Sequence, residues 1–339
     1  MSNLAIVLVL IRGYNGHREE GWIVAAFYEM FNIVVLFVAL LVPGYVLGKI
    51  KLVEGSAMVA FSNILMYIAM PALVLCKLIN MDMSDVGAGE IIIAAALPAL
   101  LVLVLSILSH VFPMNDVARE RALRFCSVFP NCGFMGIPMA AAMWPDQPKI
   151  VLYVSIFNVV NTFLLLTVGV YVLSGDKKQV NLKKTLISPI FFAIVVGVLC
   201  AAFGLGDKMT FLGNYSNLLA QLTTPLSMIA AGYELSKLHL LKMWKSWGIY
   251  FSALLKLVVS PLIVLGVLSL CKFVIGIGIC REMAMAMLVA SAVSAAASGP
   301  SMAKKYGADA EYAATLTLSG TLLCVITLPL MYLLFDLVF

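Results

Sequence analysis

Long apolar stretches, separated by short charged or Gly/Pro-containing punctuation, run through this chain from about residue 25 to its end. They fall at about 25–48, 57–80, 88–112, 122–144, 149–174, 185–205, 211–236, 247–271, 281–303 and 310–337. Each is close to the roughly 20 residues that a helix needs to cross hydrocarbon. The pattern predicts an all-α polytopic membrane protein of ten transmembrane helices. An earlier apolar run at 4–11 is too short to span and is followed by RGYNGHREEG. Residues 1–24 therefore read as an N-terminal extension or interfacial helix, with Met1 or Met30 as the start.

The fourth window, ALRFCSVFPNCGFMGIPMAAAMW, contradicts its own apolar character, because Pro130, Asn131, Gly133, Gly136 and Pro138 crowd its middle. Hydrocarbon offers no water to satisfy a freed N–H or C=O, so broken backbone at that depth must face protein or a solvated cavity. Many secondary carriers build their substrate sites from such helices. The ninth window carries a second interruption, expected at Ser298-Gly299-Pro300 within SAVSAAASGPS. Pro138 and Pro300 are expected to open the two helices and create half-helix N-termini, whose partial positive charge favours an anion. The bland alternative is a pair of ordinary proline kinks.

The halves of the chain echo each other. Gly44 pairs with Gly197 at an offset of 153, Pro71 with Pro225 at 154, Pro98 with Pro261 at 163 and Pro138 with Pro300 at 162. Five helices per half place the copies in opposite orientations, so 25–174 and 186–339 read as inverted repeats joined by a cytoplasmic linker at 175–185. Loops after the odd-numbered spans carry fourteen Lys and Arg, against Lys149, Lys208, Lys272 and Arg281 after the even ones. The positive-inside rule then puts both termini on the extracytoplasmic side of a plasma (inner) membrane.

Composition narrows the function. With 63% hydrophobic and 12% charged residues, the chain cannot be a soluble globule. Its net charge of +5 resides mostly in short loops without interleaved aromatics, which argues against nucleic-acid binding. Seven cysteines lie in or beside apolar segments with no CxxC pair, so they read as core residues and no metal is expected. No HExxH, no phosphate-cradling Gly-rich loop with Lys and no nucleophile–His–acid set at membrane depth is present, so an enzyme is not expected. No cofactor is expected either.

PNCGFMGIP in span four, LMYIAMPALVL in span two, VPGYVLGKIKLV closing span one and KLVVSPL in span eight resemble the auxin efflux carrier family of membrane transporters, from about Met30 to the C-terminus. The resemblance implies that spans four and nine are broken and cross near mid-membrane. It further implies a scaffold of helices 1, 2, 6 and 7, often homodimeric, and a mobile transport domain of helices 3–5 and 8–10. Known substrates of the family are mostly organic anions, auxin in plants and malate or malonate in bacteria. Ser294 and Ser298 stand where family members often carry Pro and Asn, which departs from the pattern.

Among candidate residues, Asn131 adjoins two helix breakers, so its amide either replaces a lost backbone bond or meets a ligand. Lys256 lies about nine residues into span eight without an evident acidic partner; the carboxylates read inside spans are Glu29, Glu234 and Asp336, each near an end. Its charge is costly there and marks function by default. It either caps carbonyls of the broken ninth helix or neutralises substrate, whereas Lys77 reads as snorkelling to the surface. Asn158 and Asn161 share one face of span five, either as glue between helices or, for Asn158, as a ligand contact that the resemblance implies. The expectation is a secondary transporter of a small mono- or dicarboxylate, working by elevator-type alternating access. Its substrate contacts are expected at Asn131, Gly133, Asn158, Ser294 and Ser298, with crossover geometry set by Pro130, Pro138, Gly299 and Pro300. Uniport, Na⁺ coupling and H⁺ coupling all remain open, and the rival reading is a transporter-like sensor or channel.

Overall fold

Apolar helices with buried small residues account for nearly all of the architecture, which is known from a computed structural model describing residues 31–32, 35–79, 81–82, 86–180, 189–237, 245–276 and 278–339. The 1–24 extension, Glu29 and residues 181–185 of the linker lie outside the described residues. Helix α1 is Val35–Lys49, α2 covers 55–78 and α3 is Ala88–Ser109. The next span is split into α4a, Val117–Val128, and α4b, Cys132–Met143, and is followed by α5, Pro148–Ser174. Then come α6, Pro189–Ala202, and α7 over 210–236 with a turn at 221–222. Helix α8 is Trp247–Phe273. A second split span forms α9a, Arg281–Ala292, and α9b, Gly299–Tyr306, and α10 is Ala310–Val338. Among the described residues the only β-type pairing is one isolated antiparallel bridge, Pro130 with Ala295.

Four helices, α3, α5, α8 and α10, are unbroken and apolar enough to cross a membrane. Their ends are set by local chemistry. Asp116 caps α4a by accepting from the amides of Ala118 (2.9 Å) and Arg119 (3.3 Å), and Asp309 caps α10 through Tyr312 N–H at 2.9 Å. Gly175 ends α5 and Gly307 ends α9b with φ of +69° and +79°, a conformation glycine adopts without penalty.

Lipid tails are as apolar as leucine, so membrane helices associate through close packing of small residues more than through water exclusion. Helix α1 lies against α7 at Gly44 and Gly232: a Cβ at either would collide with the partner's backbone, at Ile229 and Leu41 respectively. Helix α2 lies against α6, where Gly197 receives Leu78. A main core runs through α2 to α6 and α8 to α10, and Ala220 of α7 joins it. A smaller one joins Phe37, Leu41 and Met228 of α1 and α7 to Met135, Met139, Leu257 and Val293 across the way.

Three of the prolines inside spans share one local device, which Pro98 of α3 and Pro329 of α10 do not use. Wide i→i+5 turns at Leu65–Ala69, Cys132–Gly136 and Leu254–Val259 each end two residues before a proline, namely Pro71, Pro138 and Pro261. A wide turn moves the carbonyl that the pyrrolidine ring would strike and absorbs the missing donor. The expectation that Pro138 opens its helix is therefore corrected. It sits buried within continuous helix, and the interruption falls earlier, at residues 129–131.

Candidate functional site

The two interruptions meet. Phe129, forced into extended geometry by the proline that follows it (ψ 118°), accepts through its carbonyl from Ala296 N–H at 2.9 Å, and Asn131 N–H donates to Ser294 O at 2.8 Å. Pro130 has no N–H to lose at this bridge. On the other strand Ser294, Ala295, Ala296 and Ala297 are small enough for the backbones to approach. Each break thus supplies partners that hydrocarbon denies the other. The chain re-enters helix on one side at Asn131, whose carbonyl receives Met135 N–H (3.0 Å) and Gly136 N–H (3.2 Å). On the other side it re-enters at Ser298, with Pro300 in the first turn of α9b. Pro130 lies in the first break, whereas the second falls at residues 293–298, earlier than Ser298-Gly299-Pro300, and Gly299 and Pro300 form the first turn of α9b.

Two adjoining cavities flank this crossing. One, of about 340 Å³, is lined by Asn131, Gly133, Asn158, Asn161 and Ser298, with Met66, Tyr67 and Ile190 opposite. The other, of about 210 Å³, shares Asn131, Phe134 and Ser298 and adds Ser227, Glu234, Thr317 and Thr321. Of the expected contacts, Asn131, Gly133, Asn158 and Ser298 therefore come together. Gly133 packs closely on Asn158: a Cβ there would stand 3.3 Å from Asn158 Oδ1 and push the amide aside by a few tenths of an ångström. Asn161 Nδ2 reaches Pro130 O only at 3.5 Å.

Ser294 does not join them. It lies fully buried behind the crossing, its Oγ accepting from Thr321 Oγ1 at 3.0 Å and lying 3.7 Å from Met135 Sδ. Lys256 also lines neither cavity. It occupies the wide turn of α8, is 2% exposed, and its Nζ has no hydrogen-bond partner among the described residues. The carbonyl-capping contact expected of it is not formed. Lys77 Nζ donates to Pro145 O at 2.9 Å in an exposed contact that ties α2 to the segment following α4b.

Three residues escaped the sequence reading. Thr317 and Thr321 line the smaller cavity from α10, and the signal was present in their i, i+4 spacing. Glu90, three residues into α3, is a carboxylate that the survey of spans passed over. It is 5% exposed and accepts from Tyr153 Oη and from Cys280 N–H at 2.8 Å, pinning α3 to α5 and α9a.

An all-helical chain with interrupted, mutually paired spans calls for comparison with known membrane proteins. The family model described as membrane transport protein matches residues 28–332, and this protein is an integral membrane transporter. The chain belongs to the auxin efflux carrier family. No curated protein matches it in a direct sequence comparison.

Proposed function

We propose that this transporter moves a small organic anion, a mono- or dicarboxylate, as a secondary carrier. The observation that carries the proposal is the lining of the crossing: amides from Asn131 and Asn158, the Ser298 hydroxyl, and the N-termini of α4b and α9b lie at two cavities that share lining residues. Helix N-termini present unpaired N–H groups and positive dipole ends, which suit a carboxylate. Among the described residues the larger cavity carries no charged side chain. The smaller one carries Glu234, whose carboxylate accepts from Lys237 Nζ at 2.6 Å and is so offset.

We extend the proposal to elevator-type alternating access between two inverted repeats. In support, both cavities lie between α2, α6 and α7 on one side and α4, α5, α9 and α10 on the other. Also in support, α1 against α7 exchanges with α6 against α2 when the halves are swapped, and the paired glycines Gly44 and Gly197 both sit at those contacts. The cation-rich loops would face the cytoplasm. Uniport, Na⁺ symport and H⁺ symport are equally compatible with this site.

Thermal stabilisation of the purified protein across a panel of carboxylates, amines and sugars tests the reading. Stabilisation by at least one carboxylate is expected, and stabilisation only by cations or sugars overturns it.

A further inference from the structure

A third cavity, of about 340 Å³, lies away from the crossing, at the cation-rich end of α3, α4a and α5. Its charged and polar lining includes Ser106, Ser109, His110, Glu120, Arg121 and Arg124. Arg124 is held by Glu120 through Nη2, but its Nε is buried with no acceptor, and so is Ser106 Oγ. Among the described residues Arg121 makes no hydrogen bond or ion pair. Its guanidinium rests on Gly175, where a Cβ would collide with Nη2. The left-handed, side-chain-free end of α5 is thus what leaves room for this arginine. His110 Nδ1 lies 2.6 Å from Ser106 O. Two guanidiniums against one carboxylate leave the cavity cationic before His110 is counted.

The rim has the opposite character. Val117 and Tyr171, which line the cavity, are 59% and 44% exposed, and Ile107 and Val111 are exposed at the same end of the chain segment that carries Ser106 and His110. A cationic base beneath an apolar rim fits an amphiphile whose charged group is anionic. Arginine pairs with phosphate in bidentate geometry, and basic pockets between membrane helices suit acidic lipid headgroups. From these features we propose that this cavity binds the phosphate of an anionic phospholipid, with the acyl chains running down the exposed apolar face of α3 and α5. Helix α4a runs five residues from Arg124 to Phe129, about 7.5 Å at 1.5 Å per residue, so a lipid held here bears directly on the helix that leads into the crossing.

The test is native mass spectrometry of the detergent-purified full chain, titrated with phosphatidylglycerol, phosphatidylcholine or inorganic phosphate. One phosphatidylglycerol per protomer should be retained over phosphatidylcholine, and Arg121→Gln should weaken it about fivefold, the effect of one interfacial cation. Val172→Trp keeps every charge and fills the cavity from its apolar wall, so it should abolish retention, whereas Lys208→Gln, an exposed cation elsewhere, should change nothing. Equal retention of both lipids overturns the proposal, as does retention untouched by Arg121→Gln and Val172→Trp, or lowered equally by Lys208→Gln. Displacement of the lipid by inorganic phosphate at comparable concentration would assign the cavity to a soluble phosphate and overturn the lipid reading.

Discussion

The interruption in α4 and the interruption in α9 do the same topological work with different chemistry. The first is built from Pro130 and Asn131, continues into a wide turn, and leads to a helix whose residues Ile137–Ala141 are all buried. The second is built from Ser and Ala, and leads to a helix ending in the exposed Lys304 and Lys305. Amides gather on the α4 side, from Asn131, Asn158 and Asn161, and hydroxyls on the α9 side, from Ser294, Ser298, Thr317 and Thr321. One break is stiff and polar, while the other is small and closely packed. The difference shows that the crossing is a single composite element: the stiff segment fixes the path and the small-residue segment permits the contact that satisfies both backbones.

If the division holds, the amide side carries the stronger ligand contact. Asn131→Ala should lower uptake in proteoliposomes by roughly a hundredfold, since hydrogen bonds to charged groups contribute about 1.5–3 kcal/mol. Expression and thermal stability should hold, because the crossing bonds of Asn131 come from its backbone. Retained uptake would remove the side chain from the site.

The comparison of halves extends to the glycine contacts. Gly44→Ala drives a Cβ to 2.0 Å from the Ile229 carbonyl oxygen, whereas Gly197→Ala brings one to 2.7 Å from Leu78 Cβ, a milder overlap that a smaller shift between the helices relieves. Overpacking then costs about 1–2 kcal/mol at Gly44 and less at Gly197. Thermal melts of the two variants in one detergent decide this, and equal losses would show that α1–α7 and α2–α6 are equally rigid contacts.

Lys256 sharpens the contrast from behind, on the α4 side. An unpartnered buried ammonium is costly, and replacing buried charge with an apolar side chain of similar volume often stabilises. Lys256→Met should therefore raise the melting free energy by about 1 kcal/mol. A fall on substitution would mean that the ammonium finds partners in the folded protein.

How far the sequence revealed this arrangement depended on the kind of signal. Hydropathy windows located α3, α5, α8 and α10 within a few residues, because long apolar runs bounded by charge have few alternatives in a membrane. Breaks were legible as clusters of Pro, Gly and Asn, but their exact place was not. Pro138 reads like a breaker, and only the wide turn before it shows how a helix passes through. The acceptor that Lys77 finds, the Pro145 carbonyl, was not legible because it lies 68 residues away. Glu90 was missed because its partners Tyr153 and Cys280 come from two other helices. Asn158 was visible as a polar residue in a span, yet its close packing on the bare Cα of Gly133 is a relation between two helices that no local pattern encodes.

The smallest expected effect separates the two serines of the α9 break. Ser294 is buried, and its removal takes one acceptor from Thr321, which keeps its bond to Thr317 O at 2.9 Å. Nothing is left unsatisfied, so Ser294→Ala should cost about 0.5 kcal/mol of stability and leave uptake unchanged. Ser298 has no side-chain capping bond and lines both cavities, so Ser298→Ala should leave the melting temperature unchanged and weaken uptake a few-fold. Paired measurements of melting temperature and initial uptake rate on the two variants resolve the matter. Should Ser294→Ala reduce uptake while Ser298→Ala does not, the substrate-facing side of the α9 break would be the side now assigned to packing against α10.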